Sequence, residues 1–189
     1  MTNAAESWQD DGIITETIDG REVLMSPRPA TTHGIVAGNI YRIFSSFLRG
    51  KRCKALFEPD VFLDEKNNFV PDVAVICDRD KLKVNGIHGA PDLVVEVLSP
   101  STMTRDKGIK KDTYEKAGVK EYWIVNPVSQ TIEVYLLGEG RFRLDHVYLV
   151  YPDWEWERMS EEERAAARLS VKVSLYDDLL VDVREVFED

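Results

Sequence analysis

Residues 91–100 read PDLVVEVLSP: Pro91-Asp92-Leu93-Val94-Val95-Glu96-Val97-Leu98-Ser99-Pro100. An apolar run of this length between two prolines is the pattern of a buried strand. Strand residues alternate faces, so Asp92, Val94, Glu96 and Leu98 share one side while Leu93, Val95 and Val97 share the other. Glu96 is therefore aimed where its neighbours are apolar. A lone ionised carboxylate in a dry core is strongly unfavourable, so Glu96 needs a partner or a chemical task.

The flanking segments supply both. In Val70-Pro71-Asp72-Val73-Ala74-Val75-Ile76 an aspartate opens the preceding strand, and Asp72 converges on Glu96 if the two strands are adjacent. Two close carboxylates repel and raise one pKa unless a cation lies between them. A hard ion such as Mg²⁺ prefers oxygen ligands and keeps waters, which this pair plus a backbone carbonyl suits. The following helix, 105–117, carries Arg105, Lys107, Lys110 and Lys111. Asp106 and Lys110, four apart, share a helix face, with Tyr114 one turn on. A salt bridge from Glu96 to Lys110 or Arg105 accounts for the same residues without a metal, and spacing alone leaves the two readings level. Asp72 and Asp92 each follow a proline, where turn and capping roles are common. Taken alone, the basic run on the helix reads as a solvated face.

Working outward, EVLMS (22–26) reads as a short strand ended by a turn at 27–29. Apolar residues at 36, 40, 43, 44, 47 and 48 predict a helix over 33–48, with Thr31 or Thr32 as its cap and Gly50 past its end. Strands are expected at 53–63 and 69–77 around Lys66-Asn67-Asn68, then the 91–100 strand after a loop with Gly86 and Gly89. Gly118 closes the 105–117 helix. EYWIVN (121–126), TIEVYLL (131–137) and 141–150 follow as antiparallel strands. Ser160-Glu161-Glu162-Glu163 has capping-box spacing and opens a short helix. A late strand at 171–175 and a helical segment at 179–187 end the chain. The order predicts an α/β or α+β fold on one central mixed sheet.

At 189 residues the chain fits one domain, 1–189, with a sizeable core. Its longest apolar runs are too short to span a bilayer, so no membrane is expected. The N-terminus lacks the order of a signal peptide, which makes the cytoplasm the expected address. There Cys53 and Cys77 read as buried thiols. The net charge, 24 − 34 = −10, argues against a tight non-specific DNA binder. It does not exclude an enzyme whose phosphate contacts are local or carried by bound cations. Neither a glycine-rich phosphate loop nor a Ser/His/Asp order is visible. Trp154 and Trp156, set in DWEWER, read first as packing on the domain's own edge, with a homodimer contact or an insertion loop as the alternatives.

The blocks PDVAVI, PDLVVEVLSPST and RDKGIKKDTYEKAGVKEYWIVNP resemble the Uma2 family (DUF820), a group of restriction-endonuclease-like proteins. The likeness is strongest from Pro71 to Pro127. MSPRPATTHG and LLVDVREVF extend it over most of the chain. It implies the PD-(D/E)xK nuclease superfamily, with a restriction-endonuclease-like sheet flanked by helices, and DNA as substrate. It further implies a Mg²⁺ site, with Mn²⁺ as a substitute, held by Asp72, Glu96 and the Val97 carbonyl. The superfamily's lysine two residues after the second acid is missing, since position 98 is Leu. The resemblance moves that role to Lys110, with Lys107 and Lys111 as close neighbours. His33 matches a histidine near the start of the family's first helix and is a candidate substrate contact, against the simpler reading of a polar surface or capping residue. Glu58 is a candidate for the acidic cluster, against the simpler reading of a surface acid. The alternative to an active nuclease is a catalytically degenerate member that serves as a binding or regulatory module.

Overall fold

The computed structural model describes residues 15–24 and 30–188. It opens with the hairpin β1 (Thr15–Ile18) and β2 (Arg21–Leu24). Only the first part of the expected 22–26 strand falls in β2. Its end and the turn at 27–29 lie outside the described residues. Helix α1 (Thr31–Phe47) follows, with Ala30 rather than a threonine at its N-cap and no side-chain cap.

The single strand expected over 53–63 is two: β3 (Lys54–Phe57) and β4 (Val61–Asp64), which belong to different sheets. The break falls at Glu58-Pro59, where Glu58 takes a positive φ of 45° and Pro59 cannot donate to a ladder. The 69–77 segment divides likewise into the end of β5 (Asn67–Phe69) and β6 (Val73–Ile76), separated by Pro71. The glycine-containing loop forms two short strands, β7 (Leu82–Lys83) and β8 (Gly86–His88). Residues of the opening stretch form β9 (Leu93–Val97).

The helix after it runs through α2 (Met103–Arg105), a π-helical turn (Asp106–Lys110) and α3 (Lys111–Ala117), closed by Gly118 at φ 89°. Next come β10 (Glu121–Asn126), β11 (Thr131–Gly138) and β12 (Arg141–Leu149). After α4 (Asp153–Trp156), Ser160 forms the expected capping box for α5 (Glu161–Ala166). The C-terminal segment is β13 (Ser170–Lys172), β14 (Leu180–Asp182) and α6 (Val183–Phe187), so the expected 179–187 helix begins as a strand.

The architecture is mixed α+β. The main sheet has the order β12-β11-β10-β9-β6-β3, parallel only between β9 and β10, which the α2–α3 helix connects. A second sheet, β2-β1-β5-β4-β8-β7, packs beside it. Alternation along β9 decides which side chain meets which layer. Leu93, Val95 and Val97 join Val36, Ile40 and Phe44 of α1 in one core. Val94 and Leu98 join Ile18, Phe69, Tyr114 and Tyr122 in the other. Phe44 meets Trp123 edge to face at 5.4 Å, and both are fully buried. Burial of side chains this large contributes about 2–3 kcal/mol each.

Cys53 and Cys77 are disulfide-bonded, not the separate buried thiols expected. The register shows why. Lys54 pairs with Ile76, so the two cysteines are the next cross-strand pair beyond that ladder. Trp154 is exposed, whereas Trp156 packs against Tyr151 and the Arg164 guanidinium. Among the described residues, no helix is long and apolar enough to cross a membrane.

Gly86 is the backbone position least able to accept a side chain. Its φ is 135°, and a Cβ would stand 2.4 Å from the Asp60 carbonyl oxygen. Gly86→Ala is expected to cost about 2 kcal/mol or more in unfolding free energy. Chemical denaturation with an unchanged midpoint would contradict this.

Candidate functional site

The register of the main sheet creates the site. Val73 pairs with Val95 between antiparallel β6 and β9, so Asp72 stands opposite Glu96, one position beyond the last ladder pair. The turn at Asp72 is held from both sides. Its carbonyl accepts from the Glu58 N–H at 3.0 Å, and its Oδ2 accepts from the Val97 N–H at 2.6 Å. The carboxylate thus takes over where the ladder stops. On the other side of Asp72, His33 Nε2 lies 3.4 Å from Oδ1, while His33 Nδ1 is buried with no hydrogen-bond partner among the described residues.

Glu96 is 4% exposed and faces the α2–α3 layer. Its Oε1 lies 2.7 Å from Lys110 Nζ and accepts from the Tyr114 hydroxyl at 3.1 Å. Lys110 is delivered by the π-helical turn, in which Gly108 leaves helical geometry at φ −110° and ψ −105°. Turns of this kind recur at functional sites. Here both Asp106 and Lys110 point inward and are buried. The Lys110 ammonium also lies 2.8 Å from Glu16 Oε1 and 3.7 Å from Asp106 Oδ1. Tyr122 donates its hydroxyl to the Asp106 carbonyl at 2.9 Å.

Four buried or nearly buried carboxyl groups therefore gather around one ammonium and one imidazole. Burial disfavours each ionised acid, and their mutual repulsion adds to it. Burial pushes Glu96 well above the ordinary carboxyl range; Lys110 opposes this, while Asp106, Asp72 and Glu16 reinforce it. Burial likewise raises Asp72 to about 6 against the pull of His33, the Val97 N–H and Lys110. Asp106 is raised for the same reason, opposed by Lys110. At Lys110 burial acts downward, yet the Glu96, Glu16 and Asp106 carboxylates outweigh it and hold the ammonium above the usual lysine range. Among the described residues, no three His, Cys, Asp or Glu side chains are arranged to hold a metal ion by themselves.

Of the residues singled out in the sequence, Asp72, Glu96, Lys110 and His33 come together, and the Val97 backbone meets Asp72. The neighbouring lysines go elsewhere. Lys107 reaches the Glu133 carboxylate at 2.5 Å, and Lys111 lies over the Tyr135 ring at 3.7 Å. Glu58 is exposed and contributes its backbone N–H to the Asp72 turn. Glu16 escaped the sequence reading, and Asp106 entered it only as a neighbour of Lys110. The signal for Glu16 was present in Thr15-Glu16-Thr17-Ile18, where the acid shares its face with buried Ile18, as Glu96 does with Val94.

A match to Uma2, described as "Putative restriction endonuclease", spans residues 4–168. The chain belongs to the Uma2 family. An uncharacterized protein of Synechocystis sp. is 32% identical over 107 residues, which is 54% of this chain and 56% of that protein. The chain thus aligns with little more than half of that relative's length. Among solved structures, "a putative nuclease belonging to DUF820" from Anabaena variabilis superposes with a TM-score of 0.63 at 20% identity. The superposition covers 92% of this chain and 89% of the other, and it shows the same fold.

The raised carboxyl groups make metal-free stability depend on pH. The folded state keeps its Asp72 proton to about 6, whereas an ordinary aspartate loses it near 3.8. Between these values the folded chain binds more protons than the unfolded one, so raising the pH favours unfolding. Stability without metal is expected to fall as pH rises from 3.8 to about 6. Asp72→Asn should flatten that slope in thermal melts. An identical slope in the variant would show that Asp72 does not carry it.

Proposed function

We propose that this Uma2 protein is a metal-dependent endonuclease that hydrolyses phosphodiester bonds in DNA, with residues 1–189 acting as one domain. One observation carries the reading. Asp72 and Glu96 stand opposite each other across β6 and β9, with the Lys110 ammonium 2.7 Å from Glu96. The family description points the same way.

The donor set suits Mg²⁺, with Mn²⁺ as a substitute. The acids outnumber the basic groups four to two, and every side-chain donor among the acids is a hard oxygen. Asp72, Glu96 and the Val97 carbonyl would hold the ion. Waters would complete its shell, as Mg²⁺ usually requires, which fits a site with no third side-chain ligand. A bound divalent cation supplies charge neutralisation at the scissile phosphate and an acidified water for attack.

The chain's own groups set the geometry. The Val97 N–H and His33 hold Asp72 from its two oxygens. Lys110 and Tyr114 both engage Glu96 Oε1, which leaves Oε2 without a hydrogen bond among the described residues. Lys110 serves as a fixed positive charge beside the acids. Accepting a proton from water does not suit an ammonium that three carboxylates keep protonated.

The Lys110 geometry also favours a second reading. Its side chain is 3% exposed and already engaged by Glu16 and Glu96, so its charge is directed at protein rather than at an open groove. Together with the net charge of −10, this fits a nuclease fold used as a binding or regulatory module.

Two measurements separate the readings. Cleavage of plasmid and single-stranded DNA with Mg²⁺ or Mn²⁺ should fall at least about 100-fold in Glu96→Gln, with the fold retained. Equal cleavage by both proteins defeats the nuclease assignment. Titration calorimetry should show Mg²⁺ binding that is lost in Asp72→Asn. A wild-type protein indifferent to Mg²⁺ supports the module.

A further inference from the structure

Glu16 lies outside the acid pair and the lysine, on a different sheet from Asp72 and Glu96. It is 2% exposed, and a single oxygen does two things. Oε1 accepts from the Val70 N–H at 3.0 Å and from Lys110 Nζ at 2.8 Å. Val70 is two residues before Asp72, in the turn that sets the aspartate. Lys110 in turn contacts Glu96. One carboxylate oxygen therefore ties the Asp72 turn to the ammonium that engages Glu96, across 54 and 94 residues of chain.

The hairpin carrying Glu16 is pinned at its tip. The Asp19 N–H donates to Asn67 Oδ1 at 3.1 Å, and the Gly20 N–H to the Lys66 carbonyl at 2.9 Å. Thr17 pairs with Asn68 of β5. The side chain of Glu16 is thus delivered by a docked β-hairpin rather than by a free segment.

We propose that Glu16 is a positioning residue of the site: its carboxylate holds the Lys110 ammonium and the Asp72 turn in register, and docking of the β1–β2 hairpin completes the site. Its effect on catalysis rests on the nuclease reading, whereas its effect on Lys110 does not. A carboxylate is required because the partner is a buried ammonium, which an amide neutralises poorly. Asp106, at 3.7 Å, is too distant to replace it.

The test uses the full chain in two variants and two readouts. In Glu16→Gln the Val70 N–H keeps an acceptor and only the charge is lost; in Glu16→Ala both functions go. The first readout is the Lys110 ammonium signal in proton–nitrogen spectroscopy, which a buried, carboxylate-bound ammonium gives as a slowly exchanging resonance. Its exchange should speed up about tenfold in Glu16→Gln, and the signal should vanish in Glu16→Ala. The second readout is plasmid cleavage with Mg²⁺, per folded molecule and well below the melting temperature. There kcat should fall about tenfold and about 100-fold respectively, with KM within about twofold. A lower melting temperature with kcat and ammonium exchange unchanged within about twofold would make Glu16 merely structural and overturn the proposal. If Glu16→Ala does not fold, Glu16→Gln decides alone by the same two readings. If the wild type cuts no DNA, the nuclease reading fails, and the ammonium signal still decides the role of Glu16.

Discussion

A buried ammonium among carboxylates is the constraint on which the centre of this protein depends. Lys110 is held by Glu16 from one sheet, Glu96 from the other and Asp106 from its own helical turn. Coulomb attraction at this depth is strong, and so is the cost of leaving any member unpaired. Three separate segments are therefore obliged to meet at one point. The departures from regular structure nearby serve that meeting. The π-helical turn at Asp106–Lys110 brings two ionisable side chains inward, and the Glu58 break frees β4 to join the second sheet.

The cluster remains electrically unbalanced. Lys110 and His33 stand against Glu16, Asp72, Glu96 and Asp106, and burial, reinforced by neighbouring acids, displaces both Asp72 and Glu96 upward. Such an imbalance disfavours the fold, and proteins tolerate it chiefly where a site has work to do. A purely structural network would gain from one fewer acid or one more base. The surplus of acid oxygens around the turn that sets Asp72 is the physical core of the nuclease proposal.

Burial also sorts the basic residues by role. Lys107 and Lys111 stand within one helical turn of Lys110, yet one pairs with half-buried Glu133 and the other covers the Tyr135 ring. Neither is required to leave water fully, and such surface contacts are worth little. Lys110 alone is carried inside. Leu98 packs in the core with Val94 and Tyr114, and the ammonium beside Glu96 arrives on that same face from the helix.

Much of this was legible in the primary structure. Alternation through Leu93–Val97 placed Glu96 among apolar neighbours, and the strand at Glu121–Asn126, the Gly118 helix end and the Ser160 capping box follow from local rules that need no distant partner. Local pattern identified Asp72 and Glu96 because each stands in or beside a strongly apolar strand. What it could not supply was register and pairing between distant segments: the split of 53–63 between two sheets, the Cys53–Cys77 bond, the inward turn of Lys110 rather than Lys107 or Lys111, and the arrival of Glu16. Those outcomes depend on which strands lie side by side and on how burial forces charges to find one another. That choice is made by the packed chain as a whole and is written in no single segment.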